Sequence, residues 1–219
     1  MKPYFTTSLG TLYHANSLSL LKTLPDNYFN LCITDPPYGI GIKGKIGGVN
    51  LAKVTDYGNF NNWDNQIPSA DFFNEILRVS QKAIIFGGNY FIEYLTNSSC
   101  WLVWDKNNSG NFADCELAWT NFNTAVRKYK FTWNGMIQED MKHKETRYHP
   151  TQKPVTLFKA ILNDYSNDED LILDCFSGSG TTALACEQLN RKWVCIEQEE
   201  QYCKITKQRL CNGIQQTLI

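Results

Sequence analysis

Two short stretches of this sequence combine residue types and spacings that could do chemistry. The first is Asp35-Pro36-Pro37-Tyr38, which follows the apolar run Leu31-Cys32-Ile33-Thr34. Two consecutive prolines fix the backbone, so the Pro36 carbonyl and the Asp35 carboxylate are held as two acceptors. An exocyclic aromatic amine has two N–H bonds and a lone pair delocalised into its ring. Fixed acceptors on both hydrogens draw the nitrogen towards tetrahedral geometry and return the lone pair for attack on a methyl sulfonium. Tyr38 adds a π face on which a base can stack.

The second stretch is Asp174-Cys175-Phe176-Ser177-Gly178-Ser179-Gly180-Thr181-Thr182. It follows the apolar run Leu171-Ile172-Leu173 and opens a helical pattern. Glu197, with Gln198 beside it, ends the next apolar run. Glycines in such a strand-turn-helix let the backbone approach a nucleoside, and an acid at the second strand's end grips ribose hydroxyls. Gly178, Gly180 and Ala183 formally satisfy the dinucleotide fingerprint, but Asp174 beside the turn would repel a pyrophosphate. The same carboxylate suits an ammonium group, and S-adenosylmethionine carries an ammonium and no phosphate. The candidate cofactor residues here are Asp174, Phe176, Ser177, Gly178, Gly180, Thr181, Thr182, Glu197 and Gln198. Gly39-Ile40-Gly41-Ile42-Lys43-Gly44 also fits the fingerprint as text, yet it opens no helical pattern and fails on context.

These stretches need a scaffold, and short apolar strands alternating with helical patterns predict an α/β fold on a mostly parallel sheet. Strands are expected at 11–15, 31–34, 83–86, 101–104, 116–120, 171–174 and 193–197. Helices are expected at 17–24, 69–81, 154–165, 181–190 and 199–211. Residues 39–50 read as a loop, and 121–149 turn aromatic, basic and polar without clear periodicity. A chain of 219 residues is read as one domain, 1–219, with a small insertion at 121–147.

Composition narrows the classes. With 42% apolar and 20% charged residues the chain is an ordinary globular protein, and no apolar run approaches the ~18–20 residues of a membrane span. The first twenty residues are too polar for a secretory signal. Eight cysteines show neither C-x-x-C nor zinc-finger spacing, so they read as buried thiols kept reduced in a cytoplasm, with no metal site. Net charge is −1, so contact with nucleic acid needs a local basic patch. Lys43, Lys45 and Lys53 form one. Arg127, Lys128, Lys130, Lys142, Lys144, Arg147 and Lys153 form another over 127–153, interleaved with Tyr129, Phe131, Trp133 and Tyr148 as nucleic-acid surfaces are.

The order and content of the two stretches resemble the β class of amino-methyltransferases, which methylate adenine N6 or cytosine N4 in DNA. In that class a D/S-P-P-Y motif precedes an F-x-G-x-G motif, as 35–38 precede 176–180 here. The resemblance spans nearly the whole chain. His149-Pro150-Thr151-Gln152-Lys153-Pro154 resembles the segment lining the methionine end of the cofactor pocket, and Trp63-Asp64 and Phe86-Gly87-Gly88-Asn89 resemble intermediate motifs. It implies a Rossmann-like class I fold, seven-stranded and mostly parallel with one antiparallel strand, circularly permuted so that the catalytic motif comes first. It also implies S-adenosylmethionine as cofactor and makes Asp35, Pro36, Pro37 and Tyr38 the catalytic set. Asn16, where the family commonly has Asp, and Lys153 and Asp35 join the cofactor set.

The expected substrate is double-stranded DNA with one base flipped out, because a base inside a duplex cannot reach such a pocket. Lys43, Lys45, Arg127, Lys128, Lys130, Lys144, Arg147 and His149 are the expected DNA contacts, with sequence reading in 121–147. Asp rather than Ser at position 35 favours adenine by family tendency, with N4-cytosine the alternative. A homodimer is compatible with the resemblance. From other classes, a nicotinamide oxidoreductase would leave 35–38 unexplained, and a non-catalytic DNA-binding subunit would not need Asp35 and Tyr38.

Overall fold

Every apolar run expected as a strand forms one in the computed structural model, which describes residues 2–41, 45–46, 55–56, 64–108, 113–134, 137–148 and 151–217. In chain order the elements are β1 (Phe5–Thr6), β2 (Gly10–His14), α1 (Ser17–Leu21), β3 (Phe29–Thr34), β4 (Lys45–Ile46) and β5 (Thr55–Asp56). Then come α2 (Ala70–Val79), β6 (Ser80–Phe86), β7 (Trp101–Asp105), β8 (Cys115–Thr120), β9 (Arg127–Lys130), β10 (Trp133–Asn134) and β11 (Ile137–Gln138). The last are α3 (Val155–Tyr165), β12 (Leu171–Asp174), α4 (Thr181–Gln188), β13 (Lys192–Glu197) and α5 (Glu200–Thr217).

The main sheet runs β1-β2-β13-β12-β3-β6-β8-β7-β9. Its inner strands β2 to β7 are the expected seven, all parallel except β8, which pairs antiparallel with both neighbours. Two short edge strands extend it. β1 adds antiparallel to β2, and β9 adds parallel to β7. The β9 pairing lies inside the segment read as aperiodic. Arg127-Lys128-Tyr129-Lys130 has no apolar alternation because an edge strand needs little burial, and lysines there discourage further pairing.

Side chains alternate across the sheet and build a core on each face. Ile84 and Phe86 pack with Phe158, Ile161 and Leu162 of α3 and Ala183 and Cys186 of α4. Ala83 and Ile85 face the other way, towards Leu20 and Leu21 of α1 and Phe72, Phe73 and Ile76 of α2. Helix α2 buries Phe72, Phe73, Ile76 and Val79 on one stripe, each worth roughly 1.5–3 kcal/mol relative to exposure. Helix α1 is shorter than expected, ending at Leu21 rather than Leu24, where the chain turns towards Pro25. Six of the eight cysteines are buried in these cores and all eight are free thiols. Among the described residues, no helix is long and apolar enough to cross a membrane.

Candidate active site

Because β2, β13, β12, β3, β6, β7 and β9 run the same way, their C-terminal ends share one edge of the sheet. Ligands bind outside the carboxyl ends of such strands. The residues that leave those ends are Asn16 after β2, Glu197 closing β13, Asp174 closing β12 and Asp35 after β3. The antiparallel β8 starts at this edge, so its second residue, Glu116, arrives there too.

A cavity of about 140 Å³ opens at this edge. Its walls include Asp35, Pro36, Pro37 and Tyr38 on one side. Asn16, Lys153, Asp174, Phe176, Ser177, Gly178, Thr181, Thr182, Glu197 and Gln198 also line it. The two stretches singled out in the sequence, 35–38 and 174–182, are thus brought together from opposite ends of the chain.

On the glycine-turn side, Gly180 sits at φ +80° and caps α4, and a Cβ there would come within 2.4 Å of Thr206 Cγ2. The nearly buried Glu197 carboxylate accepts from the Gly178 N–H at 2.8 Å and the Glu199 N–H at 2.7 Å. Burial pushes its pKa up to about 7 despite those two bonds. Asp174 was expected to face an ammonium, but its oxygens are engaged within the protein. Thr34 Oγ1 and the Phe176 N–H donate to Oδ1 at 2.9 and 3.1 Å, and Thr182 Oγ1 donates to Oδ2. Burial, only partly countered by these bonds, raises Asp174 to about 6. Ser177 Oγ is buried without a hydrogen-bond partner among the described residues. Asn16 caps α1, its Oδ1 accepting from the Ser19 N–H at 3.0 Å, and Phe176 stacks on Phe72 at 4.6 Å.

On the Asp35 side, the loop is pinned by buried Asp64, whose Oδ1 accepts from the N–H groups of Tyr38 at 2.7 Å and Gly39 at 3.0 Å. Tyr38 Oη donates to Asp35 Oδ1 at 2.6 Å. Its ring lies against Gly87, where φ is +68° and a Cβ would approach Tyr38 Cε1 to 2.1 Å. Tyr90 stacks on Tyr38 at 4.8 Å with an interplanar angle of 14°. Lys153 was expected at the cofactor. Its ammonium instead donates to Asp35 Oδ2 and, at 3.2 Å, to Tyr38 Oη. It also lies 3.2 Å from Glu116 Oε2, while Lys106 pairs with the other Glu116 oxygen at 2.5 Å. Burial raises the pKa of Asp35 in spite of Lys153. Burial opposes the charge on Lys153, but Asp35 and Glu116 outweigh it and hold the ammonium protonated.

The sequence reading missed Glu116, Lys106 and Tyr90. Glu116 had a signal, an acid opening the otherwise apolar run Leu117-Ala118-Trp119. Of the expected DNA contacts, Arg127, Lys128 and Lys130 lie exposed on β9, with Lys130 at the site's edge of the sheet, and Lys128 pairs with Asp105 at 3.4 Å. Lys144 is exposed, whereas Arg147 is half-buried and stacks on Trp133 at 4.4 Å. Lys43, Lys53, Trp63, His149 and the side chain of Lys45 lie outside the described residues.

A family model described as DNA methylase matches residues 102–208. Type II methyltransferase M2.LlaDCHI of Lactococcus lactis subsp. cremoris is 25% identical over 97% of this chain and 93% of its own. The solved complex of M1.HpyAVI with S-adenosylmethionine is 26% identical, covering 92% of this chain and all of that one at a TM-score of 0.57. Over nearly its whole length the chain is similar to N6/N4 DNA methyltransferases. The PvuII cytosine-N4 enzyme, 18% identical at a TM-score of 0.65 over 94% of this chain and 88% of that one, shares the fold. The M1.HpyAVI structure holds S-adenosylmethionine, and the cavity here suits that cofactor: it offers an orphaned Ser177 hydroxyl, a paired glycine turn and a buried carboxylate at the end of β13. The Glu197 carboxylate, the Ser177 hydroxyl and the glycine turn all line this one cavity.

Proposed function

We propose that this methyltransferase acts on the N6 amine of an adenine turned out of duplex DNA. The observation that carries the reading is the single cavity in which Asp35-Pro36-Pro37-Tyr38 meets the Ser177–Thr182 turn and Glu197. When bound, S-adenosylmethionine supplies an electrophilic methyl group on a sulfonium sulfur. The Asp35 carboxylate and the Pro36 carbonyl accept the two amine hydrogens, which frees the nitrogen lone pair. Tyr38 offers its ring to the base. As the nitrogen gains its fourth bond it becomes acidic, and Asp35 takes one proton. A carboxylate whose pKa burial has raised is suited to that task.

Duplex DNA must release the base to reach this depth. Basic residues of β9, with Lys130 nearest the site, are the proposed phosphate contacts, and 121–147 the proposed target-recognition segment. Asp35 in place of Ser supports adenine over cytosine. The test is label transfer from methyl-tritiated S-adenosylmethionine to unmethylated plasmid DNA, then digestion to nucleosides. N6-methyladenine is the expected product. Label in N4-methylcytosine overturns the base assignment, and no label in DNA overturns the substrate.

A further inference from the structure

Four charged side chains form a line into the cavity: Lys106, Glu116, Lys153 and Asp35. Lys153 is only 4% exposed, yet two carboxylates compete for its one ammonium. The atoms it occupies, Asp35 Oδ2 and Tyr38 Oη, belong to the groups that the methyl-transfer reading assigns to the target base. An ammonium on a carboxylate makes a stronger hydrogen bond than a neutral amine does. A base amine can therefore take Asp35 only if the ammonium has another anion to go to, because a buried unpaired charge is prohibitive. Glu116 Oε2 is that anion, already 3.2 Å from Lys153 Nζ. Lys153 and Lys106 together outweigh burial and hold Glu116 ionised. The stacking face is filled in the same manner. Tyr90, 43% exposed, lies 4.8 Å from Tyr38, whereas a base between two rings needs about 7 Å.

We propose that Lys153 is a positioning residue whose ammonium fills the acceptor site on Asp35 in the absence of a base and withdraws to Glu116 when the target amine docks. This rests on the methyl-transfer reading above. Withdrawal leaves Asp35 free to accept the amine hydrogen and strengthens it as a base, while total charge in the site is unchanged.

The test compares wild type, Glu116→Gln and Lys153→Met in steady-state transfer of tritiated methyl to unmethylated plasmid DNA between pH 6 and 9. Glu116→Gln removes the second seat, so the ammonium stays on Asp35 and KM for DNA rises at least about fivefold with kcat within about twofold. Lys153→Met removes the stand-in, so KM falls. Its kcat also falls, about tenfold at neutral pH, because Asp35 without a cation protonates more readily, and it recovers as the pH is raised. The charged and titratable groups facing Asp35 are Glu116 from β8, Asp174 from β12, Lys153 ahead of α3 and the Tyr38 phenol on its own loop. A merely structural lysine predicts that both variants raise KM and that neither recovers with pH, and that result overturns the hand-off. If Lys153→Met does not fold, Glu116→Gln decides, since it is isosteric and an unchanged or lowered KM there overturns the proposal. Wild-type enzyme that transfers no label to DNA overturns the underlying reading, and the hand-off with it.

Discussion

Replacing Glu197 by Gln should change how stability depends on pH. In the cofactor-free protein this carboxyl is nearly buried, and burial holds its pKa at about 7 against an ordinary 4.5. The folded state therefore binds the proton more tightly than the unfolded chain does. The stabilisation is full below about pH 4.5 and is lost as the pH rises through about 7. At RT ln 10 per pH unit, this rise is worth about 3 kcal/mol. For a chain of this size that corresponds to roughly 6–12 °C in Tm. Glu197→Gln removes the titration. It also leaves one of the two N–H donors, of Gly178 or Glu199, without its acceptor, at a cost of roughly 1–3 kcal/mol that does not vary with pH. The height of the difference between the two proteins is thus uninformative, and its slope is the test. Differential scanning calorimetry without cofactor should show the Tm of the variant gaining on that of the wild type by roughly 6–12 °C between pH 4.5 and 8. Parallel curves across that range would refute the reasoning. Ribose hydroxyls donate to the carboxylate form, so wild-type affinity for S-adenosylmethionine should climb up to about tenfold per pH unit below 7 and level above it. The affinity of the variant should be lower and flat.

Three further outcomes follow from the geometry. Tyr38→Phe keeps the ring but loses the 2.6 Å bond to Asp35, so kcat should fall about tenfold, and Tyr38→Ala should lose substantially more in the same label-transfer assay; equal losses would remove the stacking role. Gly87→Ala places a Cβ against the Tyr38 ring at a φ of +68° and should cost about 1–3 kcal/mol in urea unfolding together with most activity, an effect that Gly41→Ala, with open space around it, should not show on activity. Replacing Arg127, Lys128 and Lys130 together by Gln should flatten the dependence of log DNA affinity on log salt by about 0.9 per lost phosphate contact while leaving cofactor affinity unchanged; an unaltered slope would place the phosphate contacts elsewhere.

The parts of the site legible in the sequence are those made by neighbours in the chain. Asp35 through Tyr38 can be read because a buried strand and two prolines announce both position and rigidity. Gly178, Gly180 and Glu197 follow from the turn and strand-end logic of one βαβ unit. What was not legible depends on sheet order. Glu116 reaches Lys153 and Lys106 only because β8 enters the sheet against its neighbours and delivers its first residues to the working edge. Asp174 looked like a ligand group, but Thr34 on the adjacent strand β3 and Thr182 at the start of α4 occupy it. No local pattern encodes either partner. Strand β9 was missed because its residues are polar, and its place in the sheet comes from pairing with β7 rather than from burial.

The shared direction of the strands divides the labour of the chain between substitutions that cost stability and substitutions that reshape the cavity. The two cores lie against the middles of the strands and the inner faces of the helices. Among the described residues, the cavity walls come largely from connections leaving one edge, including 35–38, 151–153, 175–179 and 198–199. Exchanging such connections between relatives alters the walls of the opening and leaves the packed layers intact. One scaffold can then carry altered cavity walls through a few contiguous segments, provided Asp64 still holds the loop after Pro37 and Glu116 still reaches Lys153.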